Sequence, residues 1–306
     1  MGTKATRDSF GEAVRDLGKE NPAIVVLDAD LSVSTKSATF AKAFPERFFQ
    51  MGIAEANMIG TAAGMAFTGF IPFCCSFGCF LTGKYETIRV SVGYSKANVK
   101  LVGTHAGLGT GEDGYTQMGL EDMNLMRGLP GMTVINPCDD KTTRAAVRFA
   151  VEHQGPVYLR LTRQKLPDLH ASESEFKAGK GMVLKTGGRL ALIGTGATVT
   201  EALQASEKLA KHNPWVVDIH TIKPIDRELL QTLSKECNRI VTVEDHTVVG
   251  GLGSAVAEVL SEVGYQGKLM RLGVQDAYGE SGLPHELFEK YGFSAQQIAQ
   301  QVDKWC

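Results

Sequence analysis

The sequence predicts an α/β protein built as two doubly wound domains with mostly parallel sheets. Two observations carry that expectation. Short, continuously apolar runs alternate with helical patterns along almost the whole chain, as strands buried on both faces do when helical crossovers join them. The 306 residues also exceed what one hydrophobic core usually serves, and the alternation fails once, between Pro167 and Lys180.

The first domain spans residues 1–165. Its opening strand is Ala23–Leu27, an unbroken apolar run that ends in Asp28 and Asp30, carboxylates at a strand's carboxyl end. Equivalent runs are Ile71–Cys75, Val99–Val102, Thr133–Ile135 and Val157–Leu161. Helical patterns lie between them at Asp8–Leu17, Ala54–Phe67, Gly83–Gly93, Leu120–Arg127 and Lys141–His153. Residues 166–181 are polar, lack a core-forming stripe and read as a linker. The second domain, residues 182–306, resumes the alternation with strands at Leu190–Ile193, Trp215–Ile219, Arg239–Val243 and Lys268–Leu272. Its helices are Thr198–Lys211, Arg227–Glu236, Gly251–Val263, Pro284–Tyr291 and Ser294–Lys304.

Composition narrows the function classes. Hydrophobic residues make up 43% and charged ones 22%, which excludes a disordered or fibrous chain. The net charge of −2 and the absence of a basic tract argue against nucleic-acid and anionic-membrane binding. The longest apolar candidate, Met58–Cys75, is interrupted by Gly60, Gly64, Gly69 and Pro72, so no membrane span is expected. The first residues run into a helical pattern with no apolar signal region, which predicts a cytoplasmic protein. Cys74, Cys75 and Cys79 lack the second ligand pair of a zinc site and read as buried thiols; no metal ligand is expected in this chain.

Ligands of open α/β sheets bind outside the carboxyl ends of the strands, so the chemistry is sought in the segment immediately after each strand. After the first comes Asp28-Ala-Asp30-Leu31-Ser-Val-Ser34. Next is Gly52-Ile-Ala-Glu55-Ala-Asn57, where one glutamate opens a small-residue, apolar helix. That glutamate is either a first-turn acid favoured by the helix dipole or a buried proton-handling acid. Phe77 and Phe80 open a helix after the second long run. The loop from Gly103 to Gln117 holds five glycines, His105, Glu112 and Asp113, and long polar loops at this position are usually functional. Arg160, Arg163 and Lys165 form a basic cluster suited to a phosphate or carboxylate. In the second domain, Gly250-Gly-Leu-Gly253 misses the dinucleotide fingerprint, since Val256 replaces the third glycine, and reads as a tight turn into a packed helix.

Taken in this order, these segments resemble the thiamine diphosphate-dependent transketolases, specifically their pyrimidine-binding and C-terminal domains. The resemblance runs from Ala5-Thr-Arg7 to Glu244-Asp-His-Thr-Val-Val-Gly-Gly-Leu-Gly-Ser254. It rests most on Gly-Ile-Ala-Glu55, Gly-Glu-Asp113-Gly and Arg-Leu-Thr-Arg163-Gln-Lys-Leu-Pro. It implies that Glu55 hydrogen-bonds N1′ of the cofactor pyrimidine and so promotes the imino tautomer that activates the thiazolium carbon. Phe77 and Phe80 become an aromatic wall for that ring, with Asp30 and Leu31 beside the cofactor. Arg7, Ser34 and Arg163 match sugar-phosphate ligands, His105 a histidine contacting substrate hydroxyls near the reacting carbon, and Asp113 the acid that selects hydroxyl configuration. Gln117 stands where the pattern usually has histidine. Glutamine bonds both ways but shuttles no proton, which leaves an atypical ketose open as substrate.

The resemblance also exposes what is missing. The family holds the cofactor diphosphate and Mg2+ with a Gly-Asp-Gly motif and a later asparagine, and no Gly-Asp-Gly occurs here. The expectation is therefore a subunit of a split transketolase, moving a two-carbon ketol unit from a ketose phosphate to an aldose phosphate. Its thiamine diphosphate would be completed by Mg2+ ligands on an N-terminal partner subunit, in an α2β2 assembly. Nearby alternatives are a subunit like deoxyxylulose phosphate synthase, a 2-oxoacid dehydrogenase β subunit, or a non-catalytic scaffold.

Overall fold

A computed structural model describes residues 3–306. The chain forms a seven-stranded sheet, a five-stranded sheet and a two-stranded ribbon. The seven-stranded sheet runs, in spatial order, Thr221–Lys223, Thr133–Ile135, Val157–Arg160, Lys100–Thr104, Ile71–Phe77, Ile24–Asp28 and Phe48–Gln50. Every pairing is parallel except that of Thr221–Lys223 with Thr133–Ile135. The central strands are buried along their length, which is why they read as continuous apolar runs. Ile24–Asp28 pairs with Phe48–Gln50 on one side and Ile71–Phe77 on the other. The loops after the parallel strands therefore gather on one edge of the sheet.

The five-stranded sheet is ordered Lys268–Val274, Arg239–Thr247, Leu190–Gly194, Trp215–Asp218, Met182–Lys185, and only the last is antiparallel. Glu244 explains the glycine turn that comes after Arg239–Thr247. Its carboxylate accepts from the backbone N–H of Leu252 (2.7 Å) and Gly253 (2.8 Å) at the start of helix Leu252–Glu262. A Cβ on Gly251 would stand 1.9 Å from Glu244 Oε2. The turn serves helix packing, as its failed fingerprint predicts.

Three features differ from the sequence-based expectation. The segment 166–181 begins inside a strand: Lys165–Pro167 pairs antiparallel with Thr3–Ala5, fixing the start of the chain beside the loop that carries Arg163. The predicted helix Gly83–Gly93 is split into Tyr85–Thr87 and a π-helical Ile88–Tyr94, with a short helix, Gly78–Thr82, as a separate first piece before them. Thr82 Oγ1 donates back to the Gly78 carbonyl at 2.8 Å, a side-chain bond that closes the first piece before Gly83. Finally, the two sheets are not independent. Thr221–Lys223, from the second domain, adds an edge strand to the first domain's sheet, and Lys223 Nζ donates to the carbonyls of Arg127 and Leu129 at 2.9 and 2.6 Å. No helix among the described residues is long and apolar enough to cross a membrane.

Candidate active site

The sheet edge at the carboxyl ends of the strands collects nearly every residue singled out from the sequence. Asp28, fully buried, organises the first loop: its Oδ1 accepts from Leu31 N (2.6 Å), its Oδ2 from Thr35 Oγ1 (2.7 Å) and Ser37 Oγ (2.8 Å). Burial pushes the Asp28 carboxyl above its ordinary range against those bonds. The effect is to hold residues 29–37 across the strand end, with Asp30 exposed at φ +63° and Ser34 half-buried.

Glu55 is the first residue of helix Glu55–Phe67 and only 7% exposed. Ser76 Oγ, at the end of strand Ile71–Phe77, donates to its Oε1 at 3.3 Å. Its Oε2 makes no hydrogen bond among the described residues, so the second oxygen is available to a ligand. Phe77 and Phe80 stack at 5.3 Å and 16°, and His105 stacks on Phe77 at 3.7 Å and 26°. Phe77 is buried while Phe80 is half-exposed. Phe80 is thus the ring with a face to offer, and Phe77 backs it.

His105 sits at φ +53°, a left-handed conformation that non-glycine residues adopt sparingly. Both ring nitrogens are engaged: Nδ1 lies 3.0 Å from Thr104 Oγ1 and Nε2 lies 3.0 Å from Arg7 Nη1. A guanidinium can only donate, so Nε2 accepts and the proton resides on Nδ1. Burial, reinforced by Arg7, Arg163 and Lys36, drives the imidazole pKa down to about 3. Accepting from Arg7, His105 sits here as a neutral ring, and its surroundings disfavour the imidazolium.

Arg7 donates through Nη1 to the Ser34 carbonyl at 3.1 Å, while its buried Nε has no hydrogen-bond partner among the described residues. The contact uses the backbone of Ser34, leaving the hydroxyl unengaged by Arg7. Arg163 Nη1 donates to the Thr110 carbonyl at 2.5 Å and lies 3.8 Å from Asp113 Oδ1. Asp113 is exposed, and Gln117 accepts from Thr116 Oγ1 at 3.0 Å. Arg7, Ser34, His105, Asp113 and Arg163 thus share one patch.

Arg160 does not join them. It is buried in an ion pair with Asp122 (Nε to Oδ2 2.9 Å), and Tyr158 OH donates to the same Oδ2 at 2.6 Å. Of the basic cluster read as an anion site, Arg160 is structural because a fixed buried partner consumes its charge.

Sequence reasoning missed Asp245. This fully buried carboxylate of the second domain accepts from Leu108 N at 2.7 Å and Gly109 N at 3.1 Å, clamping the loop that carries Asp113. A Cβ on Gly107 would meet Asp245 Oδ2 at 2.1 Å, so this glycine, at φ +88°, is required by the close approach. Burial raises the Asp245 pKa to about 6, with Arg160 opposing. Its position beside Glu244 in the resembling stretch was the available signal. The other missed group is Cys138, His170 and Asp218, whose donor atoms converge within 4.8 Å of one another although they are remote in sequence.

Comparison with known proteins identifies both domains. Residues 2–168 match the transketolase pyrimidine-binding domain and residues 179–298 the transketolase C-terminal domain. A putative transketolase C-terminal section of Methanocaldococcus jannaschii is 46% identical, covering 98% of this chain and 95% of that protein. Human transketolase is 38% identical over 97% of this chain, which spans 48% of that enzyme. A solved structure described as a split gene transketolase, inactive beta4 tetramer, superposes with a TM-score of 0.90 at 48% identity, covering 98% of this chain and 97% of that one. With two successive family domains matched over most of its length, the chain belongs to the transketolase family.

Proposed function

We propose that this chain is the C-terminal subunit of a split, thiamine diphosphate-dependent transketolase, moving a two-carbon ketol unit from a ketose phosphate to an aldose phosphate. The observation that carries the reading is the joint placement, on one sheet edge, of a buried acid with a free oxygen (Glu55), an exposed aromatic face (Phe80) and a cationic patch (Arg7 and Arg163). Thiamine diphosphate, when bound, supplies the carbanion chemistry.

This chain's residues do the rest. Glu55 holds a proton at the pyrimidine N1′, a role that favours a buried carboxyl. Phe80, backed by Phe77, packs on the pyrimidine ring, with Asp30 and Leu31 at its margin. Arg163 and Arg7 hold the substrate phosphate, with the Ser34 hydroxyl beside them. His105 keeps Arg7 in place as a neutral acceptor, and it reaches a substrate hydroxyl by exchanging that bond. Asp113 and Gln117 line the sugar, where a glutamine positions a hydroxyl without titrating.

The residues present fit the pyrimidine end only. No Gly-Asp-Gly lies in this sequence to hold Mg2+ and diphosphate, so those ligands belong to an N-terminal partner subunit in an α2β2 assembly. The outer face of helix Glu55–Phe67 supports such a partner. Ala56, Gly60, Gly64 and Phe67 are exposed, and a Cβ on either glycine would meet nothing within 4 Å. A phosphosugar substrate is in keeping with a cytoplasmic setting. The test is transfer between sugar phosphates by the chain reconstituted with the diphosphate-half subunit. Glu55→Ala abolishes transfer if the chain is catalytic, whereas a scaffold leaves it unchanged.

A further inference from the structure

The junction between the two sheets contains a buried cluster with a coordination chemistry that the transfer reaction does not use. Cys138 lies in the turn between strand Thr133–Ile135 and helix Asp140–Glu152, His170 in the segment linking the domains, and Asp218 at the end of strand Trp215–Asp218 in the second sheet. Cys138 is 80 residues from Asp218, and His170 is 48. We propose that Cys138, His170 and Asp218 form a structural zinc site that fastens the interdomain segment to both domains.

The distances fit a small tetrahedral cation. Cys138 Sγ is 3.3 Å and His170 Nε2 is 3.1 Å from Asp218 Oδ2, and all donor atoms lie within 4.8 Å of one another. With zinc bonded to sulfur at about 2.3 Å and to nitrogen or oxygen at about 2.0–2.2 Å, tetrahedral donors stand roughly 3.3–3.6 Å apart. The two distances to Asp218 need open by only a few tenths of an ångström to admit a cation, with the sulfur and the nitrogen, within 4.8 Å of each other, closing on it.

The burial fits a closed, structural site. Cys138 and Asp218 are 0% exposed and His170 is 5%. Hydrogen bonding alone leaves the cluster unbalanced: the thiol and the imidazole both crowd Asp218 Oδ2, while the equally buried Oδ1 has no partner. An unpaired buried carboxylate oxygen is costly. A cation held by sulfur, nitrogen and the Asp218 carboxylate has three protein ligands, and its charge offsets both carboxylate oxygens.

The surroundings hold the imidazole as a ligand needs. Asp139 Oδ2 accepts from the backbone N–H of Leu169 (2.9 Å) and His170 (2.8 Å), which fixes the segment. The Glu175 carboxylate stands 3.9 Å from the other ring nitrogen, Nδ1, longer than a hydrogen bond but on the side from which acids orient metal-bound histidines. A donor set of thiolate, imidazole and carboxylate favours zinc over magnesium or calcium, which prefer oxygen alone. Binding takes the thiolate and an unprotonated Nε2, so the thiol proton and the Nε2 proton that now bonds Asp218 both leave to solvent as zinc enters.

The experiment uses the full chain, purified without added metal. Bound zinc is measured by mass spectrometry, and the chelator-treated protein is then titrated with Co2+. The expected results are stoichiometric zinc, a near-ultraviolet thiolate-to-cobalt band with intense four-coordinate visible bands, and a lower Tm after chelation. Cys138→Ser should abolish the thiolate band. His170→Gln should weaken cobalt binding and serves as the second variant if Cys138→Ser does not fold. Cys306→Ser, which removes an exposed thiol, should change nothing. Absence of both zinc and the cobalt bands in the native chain overturns the proposal, and the cluster is then a hydrogen-bonded latch. Persistence of the thiolate band in Cys138→Ser, or its loss in Cys306→Ser, also overturns it by assigning the metal to another thiol.

Discussion

Glu55→Gln isolates the proton at the centre of the proposed mechanism. Glu55 is 7% exposed and has a single protein partner, Ser76 Oγ at 3.3 Å. A glutamine fills the same space, and its amide oxygen accepts the same bond. The substitution removes no packing and keeps the Ser76 hydroxyl bonded, so the fold and Tm are expected to hold. What disappears is a carboxyl able to hold a proton at the pyrimidine N1′. A positioned acid or base contributes about 10²–10⁴-fold to rate, which at about 1.36 kcal/mol per decade is roughly 2.7–5.5 kcal/mol of barrier. Hydrogen–deuterium exchange at the thiazolium carbon, measured in the complex with the diphosphate-half subunit, reads the affected step without the later transfer steps. The expected result is exchange slowed by about 10²–10⁴-fold with an unchanged thermal melt. Exchange within about twofold of wild type would refute the reasoning and return Glu55 to an acid placed by the helix dipole.

The other predictions concern substrate, loop and pH. Arg163→Ala removes a charge-assisted contact worth about 1.5–3 kcal/mol, so the KM for phosphorylated donors should rise about 10–150-fold. Unphosphorylated sugars should be little affected, and an equal rise for both would reduce Arg163 to a loop tether on Thr110. Asp245→Ala strands two buried N–H groups at about 1–3 kcal/mol each; urea unfolding should show the loss, and amide exchange should accelerate first at Leu108 and Gly109. Unchanged protection at those amides would contradict the clamp. Burial raises Glu244 to about 7 and Asp245 to about 6 from ordinary values of 4.5 and 3.8. The native state thus keeps protons that the unfolded chain releases, so their contribution to stability is full below about pH 4 and lost as pH rises through 6 to 7. His105 and His246, depressed to about 3 and 4, contribute above about pH 6.5 and lose that contribution as pH falls toward those values. In urea titrations, Glu244→Gln should flatten the loss on the alkaline side, and an unaltered profile would count against a buried, raised carboxyl.

The legible parts of the sequence obey physical rules with local signatures. Ile24–Asp28 and Ile71–Phe77 are buried on both faces, so each of these central strands is announced by an apolar run. Glu55 stands out because a lone acid in a small-residue helix is conspicuous. The illegible parts depend on distant partners. Thr221–Lys223 is three residues long and gains its strand pairing only by meeting Thr133–Ile135 of the other domain. Asp245 bonds a loop 137 positions away, and no local spacing encodes that. Arg160 and Arg163 look alike in sequence, yet Asp122 neutralises one and the other stays half-exposed. Charge alone does not separate a ligand from a structural ion pair.

The most direct test of a divided active site is calorimetric titration of this chain with thiamine diphosphate and Mg2+, alone and together with the diphosphate-half subunit. A chain that supplies only the pyrimidine side, with Glu55 and Phe80 but no Gly-Asp-Gly, is expected to bind the cofactor poorly alone. Tight, magnesium-dependent binding is expected once the partner is present. Tight, magnesium-dependent binding by this chain alone would contradict a divided site.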